Sequence, residues 1–126
     1  MIELIEGLPE QVVGIEAVGK VTSEDYEAVV SPAIEGALAT HEKIRLLHVI
    51  GDRFTGQTAP ALWEDTRLGL ANLRSIERIA VVTDLQGLRA LVKGGGWSLP
   101  CEVKLFSDAE RAHAIDWIIE GQDNRA

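Results

Sequence analysis

Residues 44–74, IRLLHVIGDRFTGQTAPALWEDTRLGLANLR, carry the pattern that decides the fold. The run Ile44–Ile50 has the apolar character of a buried strand. From about Ala59 to Arg74, apolar residues recur at helical spacing. The polar loop Asp52-Arg53-Phe54-Thr55-Gly56 joins the two. Ligands usually bind at such strand-to-helix loops in α/β sheets, so the sequence predicts a functional site there.

The rest of the chain predicts four more strands and three more helices around this unit. The expected order is β-β-α-β-α-β-α-β-α, an α/β fold with a mixed five-stranded sheet and four helices, in which only the first strand is antiparallel. The other predicted strands are Ile2–Glu6, Gln11–Val18, Arg78–Thr83 and Glu102–Phe106, and the other helices are Ser23–Thr40, Leu85–Lys93 and a closing helix that starts with a capping box at Ser107.

Three details of the helices are also predicted. Pro32 is expected to kink the first helix or to divide it at Ser31, because proline lacks an N–H. The triplet Gly94-Gly95-Gly96 is expected to stop the third helix. The closing helix is expected to bury Ala112, Ile115 and Ile119.

Composition indicates one globular domain over residues 1–126, with 120–126 as a frayed tail. The chain is 46% hydrophobic and 25% charged, which is enough apolar content for one core. The net charge of −8 argues against nucleic-acid binding, since a phosphate backbone requires clustered basic residues. Apolar runs are too short to span a bilayer, and MIELIEGLPE lacks the basic start of a signal peptide, so we expect a cytoplasmic protein.

The sequence contains no recognisable catalytic or metal-binding motif. His41, His48 and His113 lack zinc-site spacing, and His48 is interpreted as a hydrogen-bonded core or edge residue. The lone Cys101 is interpreted as an inert thiol. No metal, cofactor or enzymatic activity is therefore expected.

The residues resemble the SpoIIAA-like family, relatives of the STAS domains typified by anti-sigma factor antagonists. The resemblance follows the chain in order through short segments, none of which is specific alone. These segments are Ser23-Glu24-Asp25-Tyr26, Ile44-Arg45-Leu46-Leu47, Phe54-Thr55-Gly56, Leu62-Trp63-Glu64-Asp65, Glu77-Arg78-Ile79-Ala80-Val81-Val82, and Glu102-Val103-Lys104-Leu105-Phe106 with Trp117.

This resemblance implies a small regulatory or ligand-binding module without established catalysis. In STAS antagonists, the loop after the central strand carries a phosphorylatable serine directly after an aspartate. Here Asp52 is followed by Arg53, and Thr55 is only a positional candidate, so the phosphorylation switch does not carry over. Thr55 and Thr58 are interpreted as caps of the following helix. Related CRAL-TRIO-like modules bind lipids, which extends the implication to apolar ligands or membrane surfaces.

Two functions follow as hypotheses. The first is binding of an apolar or amphipathic ligand, or peripheral contact with a membrane, through a set of aromatic and basic residues in which 85–99 forms a mobile wall. This set is Phe54, Trp63, Arg89, Lys93 and Trp97. The alternative is a protein-interaction module of the antagonist type that docks through the surface from Asp52 to Trp63. A homodimer is also predicted, because Leu68 lies off the main apolar stripe of its helix and because Trp63 and Trp97 are not both expected to fit a small core.

Overall fold

A five-stranded mixed sheet forms the centre of the protein, as the sequence predicts. The computed structural model describes residues 1–58, 60–61, 67–68, 71–95 and 101–121. The strands lie in the order β1-β2-β4-β6-β7, and only β1 is antiparallel to its neighbour. They are β1 (Ile2–Leu4), β2 (Val12–Ala17), β4 (Ile44–Ile50), β6 (Ile76–Thr83) and β7 (Glu102–Phe106). The predicted fold class is confirmed.

A second, two-stranded sheet was not predicted. It pairs β3 (Gly19–Val21) in parallel with β5 (Phe54–Gln57). The Gly19 N–H also donates to the Arg53 carbonyl at 2.6 Å. The loop after β4 therefore contains a short strand, β5, which pairs with β3 before the next helix begins.

The first helical segment contains the irregularity expected near Pro32. It runs through α1 (Ser23–Asp25), a π-helical turn (Tyr26–Val30) and α2 (Ser31–Leu38). The Ser31 N–H donates to the Tyr26 carbonyl, five residues earlier. A wider turn suits this place, because Pro32 has no N–H and its ring crowds the carbonyl four residues before it. The segment is therefore adjusted by a π turn and not divided.

The later helices agree with the sequence. A helix α3 (Gln86–Gly95) includes Gly94 and Gly95 and ends inside the glycine triplet, two residues later than expected. A 3-10 turn (Asp108–Glu110) leads into α4 (Arg111–Ile119), and Ser107 forms the predicted capping box with Glu110. Of the predicted second helix, residues 60–61, 67–68 and 71 are helical, followed by a 3-10 turn (Leu73–Ser75). The remainder lies outside the described residues.

The two faces of the sheet carry separate apolar clusters, because successive strand residues point to opposite faces. One cluster packs the first helical segment against the sheet and includes Tyr26, Ile34 and Leu68. The other packs α4 against the opposite face through Ala114 and Ile118. Ala112 is exposed, so its predicted burial is wrong.

Candidate ligand-binding cavity

An apolar cavity of about 460 Å³ lies on the sheet face that carries the first cluster. Its floor comes from the central strands, and α3 forms one wall. Ligand pockets in proteins usually measure about 300–1,000 Å³, so the volume suits a small organic molecule. The described lining residues are Ala17, Val21, Tyr26, His48, Ile50, Phe54, Gln57, Val81, Leu85, Gly87, Leu88 and Val92.

Strand alternation explains why the cavity lies on this face. In β4, His48 and Ile50 line the cavity, whereas Leu47 and Val49 face the second cluster under α4. Ala17, Val21, Ile50 and Gln57 each end a strand and Leu85 follows one, which places the cavity near the carboxyl edge of the sheet, as expected for a ligand site in an α/β protein.

The wall formed by α3 is loosely packed. None of its described side chains is fully buried, and Leu88 and Val92 are only half-buried against the rest of the protein. Just before the helix, Leu85 is 43% exposed although it also lines the cavity. The wall therefore presents apolar surface to the cavity that no protein side chain covers completely.

Three polar side chains, Tyr26, His48 and Gln57, interrupt the apolar lining. The Gln57 Nε2 donates to the Tyr26 Oη at 3.2 Å, which joins the helical segment to β5. The described lining contains no aspartate, glutamate, lysine or arginine. The cavity can therefore offer hydrogen bonds to a ligand but no fixed charge.

The Asp52 loop lies beside the cavity but not at the start of a helix. Asp52 and Arg53 are exposed in a turn closed by a hydrogen bond from the Phe54 N–H to the Gly51 carbonyl at 3.2 Å. Thr55 lies in β5, within the stretch where the pairing with β3 shifts register, so its predicted capping role is wrong. Thr58 does cap, since its hydroxyl accepts the Ala61 N–H at 3.2 Å.

The residues predicted to bind a ligand are only partly brought together. Phe54 lines the cavity. The Arg89 guanidinium instead donates to the carbonyls of Thr83 and Phe106, at 2.8 and 3.2 Å, and Lys93 is exposed outside the lining. Trp63 and Trp97 lie outside the described residues. A direct role in ligand binding stays a prediction for all five.

Sequence reasoning missed Tyr26 and Gln57 as cavity residues. Tyr26 fits the apolar stripe of a helix over Ser23–Thr40 and gives no sign of a cavity, and nothing in the sequence marks the strand that carries Gln57. His48 could be found from the sequence. Residues two positions apart face the same side of a strand, so this polar side chain is expected on the same face as Ile50. The homodimer prediction loses one of its two arguments, since Leu68 is buried in the core, and it stays a prediction.

Three aspartates meet at the carboxyl edge of the sheet. The Asp108 N–H donates to Asp84 Oδ1 at 3.1 Å. Partial burial, followed by the negative charges of Asp84 and Asp52, raises the pKa of the Asp108 carboxyl. In the described ranges, no three His, Cys, Asp or Glu side chains are placed to hold a metal ion. Burial and repulsion among these carboxylates therefore disfavour the ionised form of Asp108 in the folded protein.

Comparison with known proteins assigns the chain to a family. A family model described as SpoIIAA-like matches residues 12–119, most of the chain. The protein belongs to the SpoIIAA-like family. No curated protein matches its sequence significantly. The assignment agrees with a non-enzymatic regulatory or interaction module.

Two solved structures share the fold. One is an uncharacterised protein of the DUF3478 family with a SpoIIAA-like fold from Shewanella loihica PV-4. It is 28% identical, with a TM-score of 0.71 over 94% of this chain and 92% of that chain. The other is the anti-sigma factor antagonist SpoIIAA in its unphosphorylated form, 16% identical, with a TM-score of 0.58 over 95% and 99% of the two chains. The second likeness shows the fold alone.

Proposed function

We propose that this SpoIIAA-like protein reversibly binds an apolar or amphipathic small molecule in the cavity beneath α3. The observation that carries the proposal is an apolar space of about 460 Å³ at the carboxyl edge of a mostly parallel sheet. Among the described residues, the lining contains no acidic side chain, no lysine and no serine nucleophile, so binding is better supported than catalysis.

The basic residues of α3 give less support to direct membrane attachment. Arg89, one of the two basic residues that the sequence predicts to contact a ligand or membrane, is held by two backbone carbonyls. Among the described residues, no helix has the length and hydropathy required to cross a bilayer. The structure therefore supports a ligand bound between α3 and the sheet better than it supports a membrane contact through Lys93 alone.

Gly87 offers a test that spares the fold. It lies in α3 and lines the cavity, and a Cβ placed there meets no atom within 4 Å. Gly87→Phe should therefore obstruct the cavity, while replacing a helical glycine stabilises the helix by a few tenths of a kcal/mol or more. Gly36→Phe is the matched control, since Gly36 is exposed in α2, has equally open surroundings and does not line the cavity.

The assay is titration with a fluorescent naphthalene-sulfonamide probe carrying an alkyl chain, together with native mass spectrometry for co-purified small molecules. We expect the wild type and Gly36→Phe to bind the probe with similar affinity, and Gly87→Phe to bind it at least roughly tenfold more weakly. Equal binding by all three proteins would remove the cavity as the site. No binding by any of them would leave the protein-interaction hypothesis as the better one.

A further inference from the structure

The cavity combines apolar walls with hydrogen-bonding groups and no charge, and this restricts the ligand. We propose that the ligand is electrically neutral: an apolar chain or ring bearing an uncharged hydrogen-bonding group, such as an alcohol, ester or ketone, that is met by Gln57 and Tyr26. The inference rests on the proposed function and names the chemical class of its ligand.

The described lining offers no permanent positive charge to pair with an anionic ligand. No lysine or arginine belongs to the described lining. The nearest candidate on α3, Arg89, has its guanidinium directed to the carbonyls that end β6 and β7. An ionised carboxylate drawn into this space would lose its hydration without gaining an ion pair, which is strongly unfavourable.

The internal segments outside the described residues carry no basic residue that could supply that charge. Residues 59–70 contain one basic residue, Arg67, which is described and exposed, and residues 96–100 contain none. Residues 59–70 do contain two acids, Glu64 and Asp65. Any contribution of these segments to the local potential is therefore negative or neutral, which further disfavours an anionic ligand.

The polar groups of the lining fit a neutral partner. A glutamine amide has two N–H donors and a carbonyl acceptor, and one N–H of Gln57 is used by Tyr26 Oη. The other N–H and the carbonyl can serve a ligand that either accepts or donates. Since the pair is fixed between β5 and the helical segment, it orients a head group without requiring a change in protonation.

The test compares three ligands that share one alkyl chain: decanol, decanoate and decylammonium. Displacement of the fluorescent probe is measured at pH 8, where a histidine with an ordinary pKa is neutral. We expect decanol to bind at least roughly tenfold more tightly than decanoate.

A charge introduced at Gln57 should reverse this preference. Gln57→Arg places a cation in the lining, so decanoate should become the preferred ligand, whereas Gln86→Arg, an exposed change on α3 outside the lining, should keep the preference for decanol. Gln57→Leu should weaken decanol binding but leave binding of decane intact.

The outcomes separate the two proposals. If the wild type binds decanoate as tightly as decanol, or more tightly, the inference of a neutral ligand is overturned while the cavity remains a binding site. The same holds if decylammonium matches decanol. If the probe binds but decanol does not displace it, the inference of a neutral ligand is overturned, whereas the proposed function itself fails only if the probe does not bind or binds Gly87→Phe equally well.

Discussion

Replacement of Arg45 by methionine should destabilise the protein by about 3 kcal/mol, because this buried arginine holds the end of α4. Its side chain is 8% exposed. The guanidinium donates to the carbonyls of Ile118 and Glu120 at 3.0 and 2.6 Å, and to Glu77 at 2.7 Å. Arg45 thus joins a central strand to the final turn of the closing helix.

The magnitude follows from what methionine leaves behind. Two carbonyls at the end of α4 lose a charged donor, and each hydrogen bond to a charged group contributes about 1.5–3 kcal/mol. Glu77 is 41% exposed and can be hydrated again, so the loss of its ion pair with Arg45 adds little to the destabilisation. Removal of a buried charge and the fit of the apolar methionine stem offset part of the total.

Urea unfolding followed by circular dichroism measures the effect, with Arg53→Met as the control. Arg53 also faces two carboxylates, Glu3 at 3.1 Å and Glu16 at 3.7 Å, but it is 50% exposed. We expect a loss below about 1 kcal/mol for Arg53→Met. If both variants lose the same free energy of unfolding, burial and the helix carbonyls are not what makes Arg45 important.

Two further predictions concern the carboxyl edge of the sheet. The raised pKa of Asp108 means that its contribution to stability is fully present below pH 3.8, its ordinary value, and is lost as the pH rises through the folded-state pKa. Asp108→Asn should therefore raise the melting temperature at pH 7, by an amount that shrinks as the pH falls toward 3.8, whereas the exposed Asp116→Asn should change it little at either pH; a lower melting temperature for Asp108→Asn at pH 7 would refute this. Thr55 should remain unmodified when the protein is incubated with an anti-sigma factor kinase, because it lies in β5 and not at a helix N-terminus, and stoichiometric phosphate on Thr55 by peptide mapping would contradict that expectation.

The main sheet was predictable because its strands are long apolar runs with clear borders. The predicted bounds of Ile44–Ile50 and Glu102–Phe106 agree with the structure. In contrast, Gly19–Val21 and Phe54–Gln57 contain glycine and show no alternation, and they are stabilised by pairing with each other across more than thirty positions of sequence. Local patterns cannot reveal a strand whose stability comes from so distant a partner.

Errors in the helices have equally specific causes. Glycine in a helix costs only about 1 kcal/mol relative to alanine, so α3 extends over Gly94 and Gly95 before it ends. In α4, isoleucines at 115, 118 and 119 fit either of two stripes. Packing against β4 and β6 selects the stripe with Ala114 and Ile118 at its centre, because a small residue allows the helix to approach the sheet closely.

The site was harder to predict than the fold because it arises from packing that is incomplete. The cavity is partly open to solvent, so its apolar lining is in contact with water when no ligand is bound. A ligand that covers this lining gains about 25 cal/mol for each Å² of apolar surface removed from water. Water is a poor filler, since the lining offers few polar groups beyond Tyr26, His48 and Gln57. An apolar ligand with one hydrogen-bonding group would cover the walls and bond to Gln57, and the stability of the protein should then depend on its ligand.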